Sequence, residues 1–143
     1  MSNVASISTV LANAMLGSGS LKSLLDGAFL QVFYGPVPAS ADDAIGGTAG
    51  LVLTMTKDND GTTGLTFDAA VANGVLKKTL AETWTGTNAT GSAQTMTFFR
   101  LTVGSDDGTG AAGAGNYRIQ GTIGEDMTYA MWLQPGAATI ANT

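Results

Sequence analysis

The feature that most constrains the fold of this chain is a series of short strand-like runs separated by turn residues. Residues 29–34 are rich in aromatic and β-branched side chains and end at Gly35-Pro36, and residues 51–55 form the next such run. Further strands are predicted near residues 64–67, 74–80, 94–103, 117–123, 127–133 and 137–141. Turn signals separate several of these runs at intervals of about ten residues, which is typical of an antiparallel sandwich or barrel. We therefore predict an all-β fold, an antiparallel β-sandwich of jelly-roll or immunoglobulin-like type.

A short N-terminal segment departs from this pattern, because residues 3–26 are the one stretch with helical spacing. Its apolar side chains recur at three- and four-residue intervals, first at Ile7, Val10, Leu11 and Met15 and then at Leu21, Leu24 and Leu25. Ser6 or Ser8 is placed to cap the start, and the glycines and serines of residues 17–20 interrupt the pattern. We predict two short helices in an N-terminal arm, residues 1–26, followed by a sandwich domain, residues 27–143. The spacing leaves open whether the arm packs on its own domain or on a neighbouring molecule.

The residue types that the chain lacks exclude most protein chemistry near neutral pH. It has no His and no Cys, so imidazole bases, cysteine nucleophiles, thiolate metal sites and disulfides are all excluded. The chain has 6 Lys and Arg and 11 Asp and Glu, for a net charge of −5. Nucleic acid is not expected as a partner, because phosphate binding needs clustered Lys or Arg. No apolar run approaches the ~20 residues of a membrane-spanning helix, and the N-terminus does not resemble a secretory signal. We expect a protein made in the cytoplasm, with no cofactor and no membrane partner.

Two motifs suggest chemistry but have simpler explanations. Residues 108–113 match G-x-G-x-x-G, yet a strand-like run follows where a dinucleotide fold needs a helix, so we predict a loop. Asp58-Asn59-Asp60-Gly61 resembles the start of a calcium loop, but Thr63 and Ala69 occupy the sixth and twelfth positions. A hairpin turn is the preferred interpretation there, and a looser cation site at the two aspartates stays open.

Paired carboxylates and exposed aromatic rings are the remaining candidates for a site. The acids lie almost entirely in predicted turns, where carboxylates serve solubility and turn formation, so we predict no catalytic residues. Trp84 and Trp132 have the ring type that stacks on sugars, which leaves a carbohydrate-binding or adhesin module with bound calcium as an alternative. In a core this small, such rings are more often packing anchors, or they lie at a subunit interface.

The abundance of small neutral residues points toward assembly. Gly, Ala and Thr together occupy 61 of the 143 positions. Surfaces of such residues repel one another little and lose little side-chain entropy when they are buried. This composition favours tight contact between many identical copies, and therefore a homo-oligomer.

Three segments resemble small β-rich structural proteins of tailed bacteriophages and prophages. They are LLDGAFLQVFYGPVPASAD at residues 24–42, with the strand at 51–55 after it, then TGSAQTMTFFRL at 90–101, and IQGTIG at 119–124. The similarity covers most of residues 20–125, and the loop at 104–115 and the N-terminal arm depart from it. The resemblance implies a non-enzymatic virion component of the capsid decoration (cement) type, on the outer surface of the particle. Tail, neck or fibre-associated proteins are also compatible with it.

This resemblance implies that the partners are the major capsid protein or other virion proteins. The candidate contact residues come from the arm, from the first strand with the turn after it, and from the two tryptophans. They are Ile7, Val10, Leu11, Met15, Phe29, Phe33, Tyr34, Pro36, Trp84 and Trp132.

Overall fold

The fold is built around four long strands that the apolar runs form. A computed structural model describes residues 5–69, 75–103, 108–110, 117–124, 131–132 and 139–140. In chain order its elements are β1 (Ser6–Ile7), α1 (Thr9–Gly17), α2 (Leu21–Leu25), β2 (Ala28–Tyr34), β3 (Gly50–Lys57), β4 (Trp84–Thr85), β5 (Gln94–Thr95), β6 (Phe98–Val103), β7 (Arg118–Gly124), β8 (Met131–Trp132) and β9 (Thr139–Ile140). Within these described residues, neither helix is long and apolar enough to cross a bilayer.

Six strands form one open antiparallel sheet in the order β1-β7-β6-β2-β3-β4. Strand β8 adds a short parallel pairing to β7, and β5 pairs with β9 as a separate ribbon. The prediction of a mainly β, antiparallel fold is confirmed. The two-layer sandwich stays a prediction, because the described strands form one open sheet and a separate two-stranded ribbon.

One face of the sheet carries the apolar core. Alternate residues of β2 point to this face, and their partners on β3 and β6 are apolar as well, since Leu30 pairs with Met55 and Leu101. Val32 likewise pairs with Leu53 and Phe99. Leu11 of α1 and Leu25 of α2 are fully buried in the same cluster, so both helices pack on their own domain.

The N-terminal segment is part of the sheet as well as helical. Residues 6 and 7 form β1, which pairs with Gln120 and Ile119 of β7, so the helical prediction for residues 3–26 is wrong there. Ser8 is the N-cap of α1, and its Oγ accepts a hydrogen bond from the Leu11 N–H at 3.3 Å. A capping box at Ser20 starts α2. The predicted pair of short helices with a break at residues 17–20 is confirmed.

The strand predictions hold best where the runs are long. β2, β3 and β7 lie where they were expected, while the run at 94–103 is divided into β5 and β6. Around 64–67 and 74–80 the described residues make isolated bridges, Leu65 with Ala28 and Phe67 with Lys78, in place of strands. β8 and β9 fall inside the predicted runs at 127–133 and 137–141, whose other residues lie outside the described part, as do 104–107 and 111–116.

Candidate functional site

The N-terminal candidates divide into buried and exposed residues. Leu11 is in the core and is not accessible to a partner in this fold, and Val10 is half-buried. Ile7 on β1 and Met15 on α1 are exposed, and so is Leu16, which sequence reasoning did not select and which is 89% exposed. Helix α1 therefore anchors one side in the core and presents apolar side chains to solvent on another.

The candidates on β2 and the turn after it are mostly used within the chain. Phe33 is buried and stacks on Phe98, with ring centroids 4.9 Å apart. Tyr34 is half-buried against the core cluster, and Pro36 is exposed. Phe29 is half-buried and lines a cavity on the second face of the sheet.

Trp84 is a packing anchor. Its ring meets Phe67 edge to face at a centroid distance of 5.4 Å, and its Nε1–H donates to Glu82 at 3.0 Å. The half-buried ring is thus held on its edge and on its apolar side. Trp132 lies on β8, and its side chain is outside the described part of the chain.

Residues 58–61 form a turn, as predicted, but not a hairpin, because β3 pairs with β4 at residues 84–85 and the segment after the turn bridges Ala28. Asp58 and Asn59 have φ angles of 51° and 57°, the left-handed region that Asp and Asn tolerate. The Asp58 carboxylate accepts from the Thr83 N–H at 2.7 Å, and Asp60 Oδ1 accepts from the N–H groups of Thr62 and Thr63. Hydrogen bonds from Thr63 and then Thr62 lower the pKa of Asp60. Both carboxylates are therefore occupied in holding the loop, and no three acidic side chains in the described residues are grouped to bind a metal ion.

The second face of the sheet is polar and largely buried, which sequence reasoning missed. We call it the polar face; its buried polar residues are Gln31, Thr56, Arg100, Thr102, Arg118 and Gln120. Gln31 pairs with Arg100 and Arg100 pairs with Gln120 across three neighbouring strands, so these side chains share one face. Arg100 and Arg118, the two arginines of the chain, are both fully buried.

Residues 38–43, here called the cover segment, pack on this face through their carbonyl groups. Arg100 Nη2 donates to the Asp43 carbonyl at 2.6 Å, and Gln120 Nε2 donates to the Pro38 carbonyl at 2.8 Å. Arg118 Nη1 donates to the carbonyls of Ala41 and Thr109. Arg100 Nε also donates to Gln120 Oε1 at 2.9 Å, which fixes both side chains. The hydrogen bonds between the cover segment and the sheet go to β6 and β7, whereas a cavity lined by Phe29, Gln31 and Thr54 lies over β2 and β3.

The alternation of Arg100 and Thr102 with apolar residues was a visible signal for this face. Such a period-two pattern is usually produced by a face exposed to water. The pattern identifies a polar face correctly but contains no information about what covers it.

Comparison with known proteins finds no matching family model, no matching curated protein and no matching solved structure. The likeness to phage structural proteins therefore depends on the residues of the three segments quoted above.

Proposed function

We propose that this chain is a non-enzymatic structural protein of a tailed phage virion that decorates and stabilises the assembled capsid. The observation that carries the proposal is the exposed apolar side of α1. Met15 and Leu16 face solvent there, while Leu11 fixes the helix to the core. Exposed apolar groups on a rigidly held element are typical of a surface that contacts another protein.

The electrostatics of the N-terminal segment suit such a contact. The first charged side chain of the chain is Lys22, so α1 and the residues on either side of it contribute no side-chain charge. A neutral apolar patch loses little solvation free energy when it is buried. Repetition of a weak contact over the symmetric sites of a shell adds up to firm attachment.

The charge of the remaining surface favours the outside of the particle. Both arginines are buried, which leaves lysines as the side-chain cations at the surface of a chain with net charge −5. Such a surface repels packaged DNA, so the partner we propose is the major capsid protein or another exterior virion protein. Homo-oligomerisation and the two-layer sandwich belong to the same proposal, with β5 and β9 as the start of the second layer.

Copy number tests the location on the particle. Quantitative mass spectrometry of purified particles of the phage that encodes the chain is expected to find hundreds of copies per virion. A dozen or fewer copies would favour the alternative of a tail, neck or fibre-associated protein. Particles that lack the chain altogether would overturn the virion assignment.

A matched pair of substitutions tests the contact surface. Leu16→Ser is expected to weaken cosedimentation with capsids assembled without the protein by about tenfold, because it removes one apolar side chain from the contact. Leu80→Ser is the control, since Leu80 is 92% exposed elsewhere on the chain. Both variants are expected to unfold at the temperature of the original protein. Equal binding of Leu16→Ser and the original chain would contradict the proposed surface.

A further inference from the structure

One outer edge of the sheet lies along residues 83–89, here called the edge segment. It contains β4, which pairs with β3, and farther on the Ala89 N–H donates to the Val52 carbonyl at 2.7 Å in the same register. Every second side chain of the edge segment is exposed, namely those of Thr83, Thr85, Thr87 and Ala89. No other strand of the described residues lies outside it, so the sheet can be extended at this edge.

The backbone groups on the outer side of the edge segment have no partner in the described part of the chain. The Asp58 N–H donates to the Thr83 carbonyl at 2.7 Å, and Thr85 pairs with Thr56, so the bonds to β3 fall on odd-numbered residues. Alternate residues of an antiparallel strand bond to the same neighbour, so the even-numbered residues of 84–88 direct their N–H and C=O groups away from β3. None of these groups is hydrogen-bonded to another described residue. They form a row of donors and acceptors that a further strand can pair with.

The edge segment has none of the residues that usually prevent such pairing. It contains no Pro and no charged residue, and the uncharged stretch continues to Phe99. Natural sheets often have Lys or Pro on a free edge, because either residue hinders the addition of a strand. Two copies of this chain can therefore approach at the edge segment without like charges meeting there.

We propose that the edge segment pairs antiparallel with the edge segment of a second copy, across a two-fold axis at Gly86. This register uses every outward-facing residue, because Trp84 is then opposite Asn88 of the second copy and Gly86 is opposite its own counterpart. The row of donors and acceptors is satisfied by about six hydrogen bonds. The exposed Thr85 lies opposite Thr87 of the second copy, a cross-strand pair that stabilises sheets.

The residue at the axis suits this symmetry. In a two-fold contact each residue at the axis meets its own copy, and Gly86 has no side chain to obstruct that meeting. The pairing rests on the homo-oligomer part of the proposed function, and it does not involve the surface of α1 that we propose for the capsid. Its test uses the isolated protein, so a failure of this pairing is distinguishable from a failure of the capsid contact.

Sedimentation equilibrium of the isolated chain measures the self-association. A dimer is expected, with a Kd of about 1–100 µM. Thr85→Lys/Thr87→Lys places lysines opposite each other in both cross-strand pairs, so the Kd is expected to rise by about tenfold or more. The matched control is Gly47→Lys/Thr48→Lys, which adds the same charge in an exposed loop and is expected to leave the Kd unchanged. A chain that is monomeric at about 500 µM would overturn the proposal, as would equally tight dimers of the Thr85→Lys/Thr87→Lys variant.

A variant of opposite charge tests the register and separates weak pairing from poor folding. Thr85→Glu/Thr87→Glu is expected to dimerise as weakly as Thr85→Lys/Thr87→Lys, for the same reason. When the two variants are mixed in equal amounts, heterodimers are expected, because each cross-strand pair then joins a lysine to a glutamate. Native mass spectrometry distinguishes the heterodimer from the two homodimers. A mixture that forms no heterodimer would overturn the pairing of Thr85 with Thr87.

Discussion

Glu82 is a buried acid whose carboxylate is held by several donors. It accepts from the Thr66 N–H and Oγ1–H and from Trp84 Nε1–H, and Lys57 Nζ lies 3.6 Å away. Burial raises the pKa of Glu82, but the hydrogen bonds and the lysine outweigh it and lower this pKa to about 2. The residue therefore ties the loop before β4 to the segment around Thr66.

Replacement of Glu82 tests the pH dependence that this pKa implies. Because the pKa is lower in the folded chain than in the unfolded one, the stabilisation is present above about pH 4.5 and is lost as the pH falls toward 2. Glu82→Gln is expected to reduce the free energy of unfolding by about 1–2 kcal/mol at pH 7. This is less than the pKa shift alone would give, because Lys57 is partly exposed and water screens its charge. Urea unfolding at pH 7 and pH 3 measures the difference, which is expected to shrink at pH 3. Asp68→Asn is the control, since that carboxylate accepts no hydrogen bond from the described residues. If Glu82→Gln lowered the free energy of unfolding by the same amount at pH 7 and at pH 3, the low pKa of Glu82 would be contradicted.

Gly64 is required by a close approach of two backbone segments. A Cβ at this position would lie 2.0 Å from the Gly27 carbonyl oxygen. This is a steric clash, and because the oxygen belongs to the backbone, only a movement of the backbone can remove it. Gly64→Ala is expected to lower the free energy of unfolding by about 2–4 kcal/mol. Gly47→Ala is the control, because nothing lies within 4 Å of a Cβ there. Denaturant unfolding that gave the two variants similar stability would show that the segments are not so close.

Helix α1 is held at its start by two elements distant in sequence. Ser8 Oγ accepts from the Arg118 N–H of β7 at 3.2 Å in addition to capping the helix. The Asp42 carboxylate accepts from the Thr9 N–H at 3.0 Å and from Thr9 Oγ1 at 2.6 Å, which places a negative charge at the helix N-terminus. The proposed contact surface on α1 is thus fixed relative to the sheet.

This attachment predicts the effect of an Asp42 substitution. Asp42→Ala is expected to reduce the free energy of unfolding by about 1–2 kcal/mol and to speed amide exchange in α1. Asp43→Ala is the control, since the Asp43 carboxylate bonds locally to Ser40. Exchange rates in α1 that are equal in the two variants would contradict a role for Asp42 in holding the helix.

Across the whole molecule, the arginine contacts join the cover segment to β6 and β7. Arg100→Lys preserves the charge but cannot bond both Gln120 Oε1 and the Asp43 carbonyl in the geometry of a guanidinium. We expect a loss of about 2–4 kcal/mol in the free energy of unfolding and faster hydrogen exchange within residues 38–43. Lys77→Met, which removes an exposed cation, is expected to change stability by less than about 0.5 kcal/mol. Unchanged exchange in the cover segment of Arg100→Lys would show that other contacts hold it.

Most of the local structure follows from nearby residues. The long strands, the break at residues 17–20, a cap at Ser6 or Ser8 and a turn at Asp58-Asn59 were predicted, because each depends on side chains within a few positions. The structure selects Ser8 as the cap. The predictions failed at residues 6–7 and overestimated the strands at 64–67 and 74–80. Pairing with a distant strand overrides a weak helical pattern, and strand formation needs a neighbouring strand as well as β-forming residues.

The sequence by itself determined that the chain is mainly β and that it lacks the residue types of most catalysis. Only the tertiary structure decided that the polar face is buried, that Leu11 is in the core while Leu16 is not, and that Gln31 lies beside a cavity. The physical reason is that alternation fixes the direction of each side chain locally, whereas burial depends on which distant segment packs over it. For Arg100, that segment lies 57 residues away in the sequence.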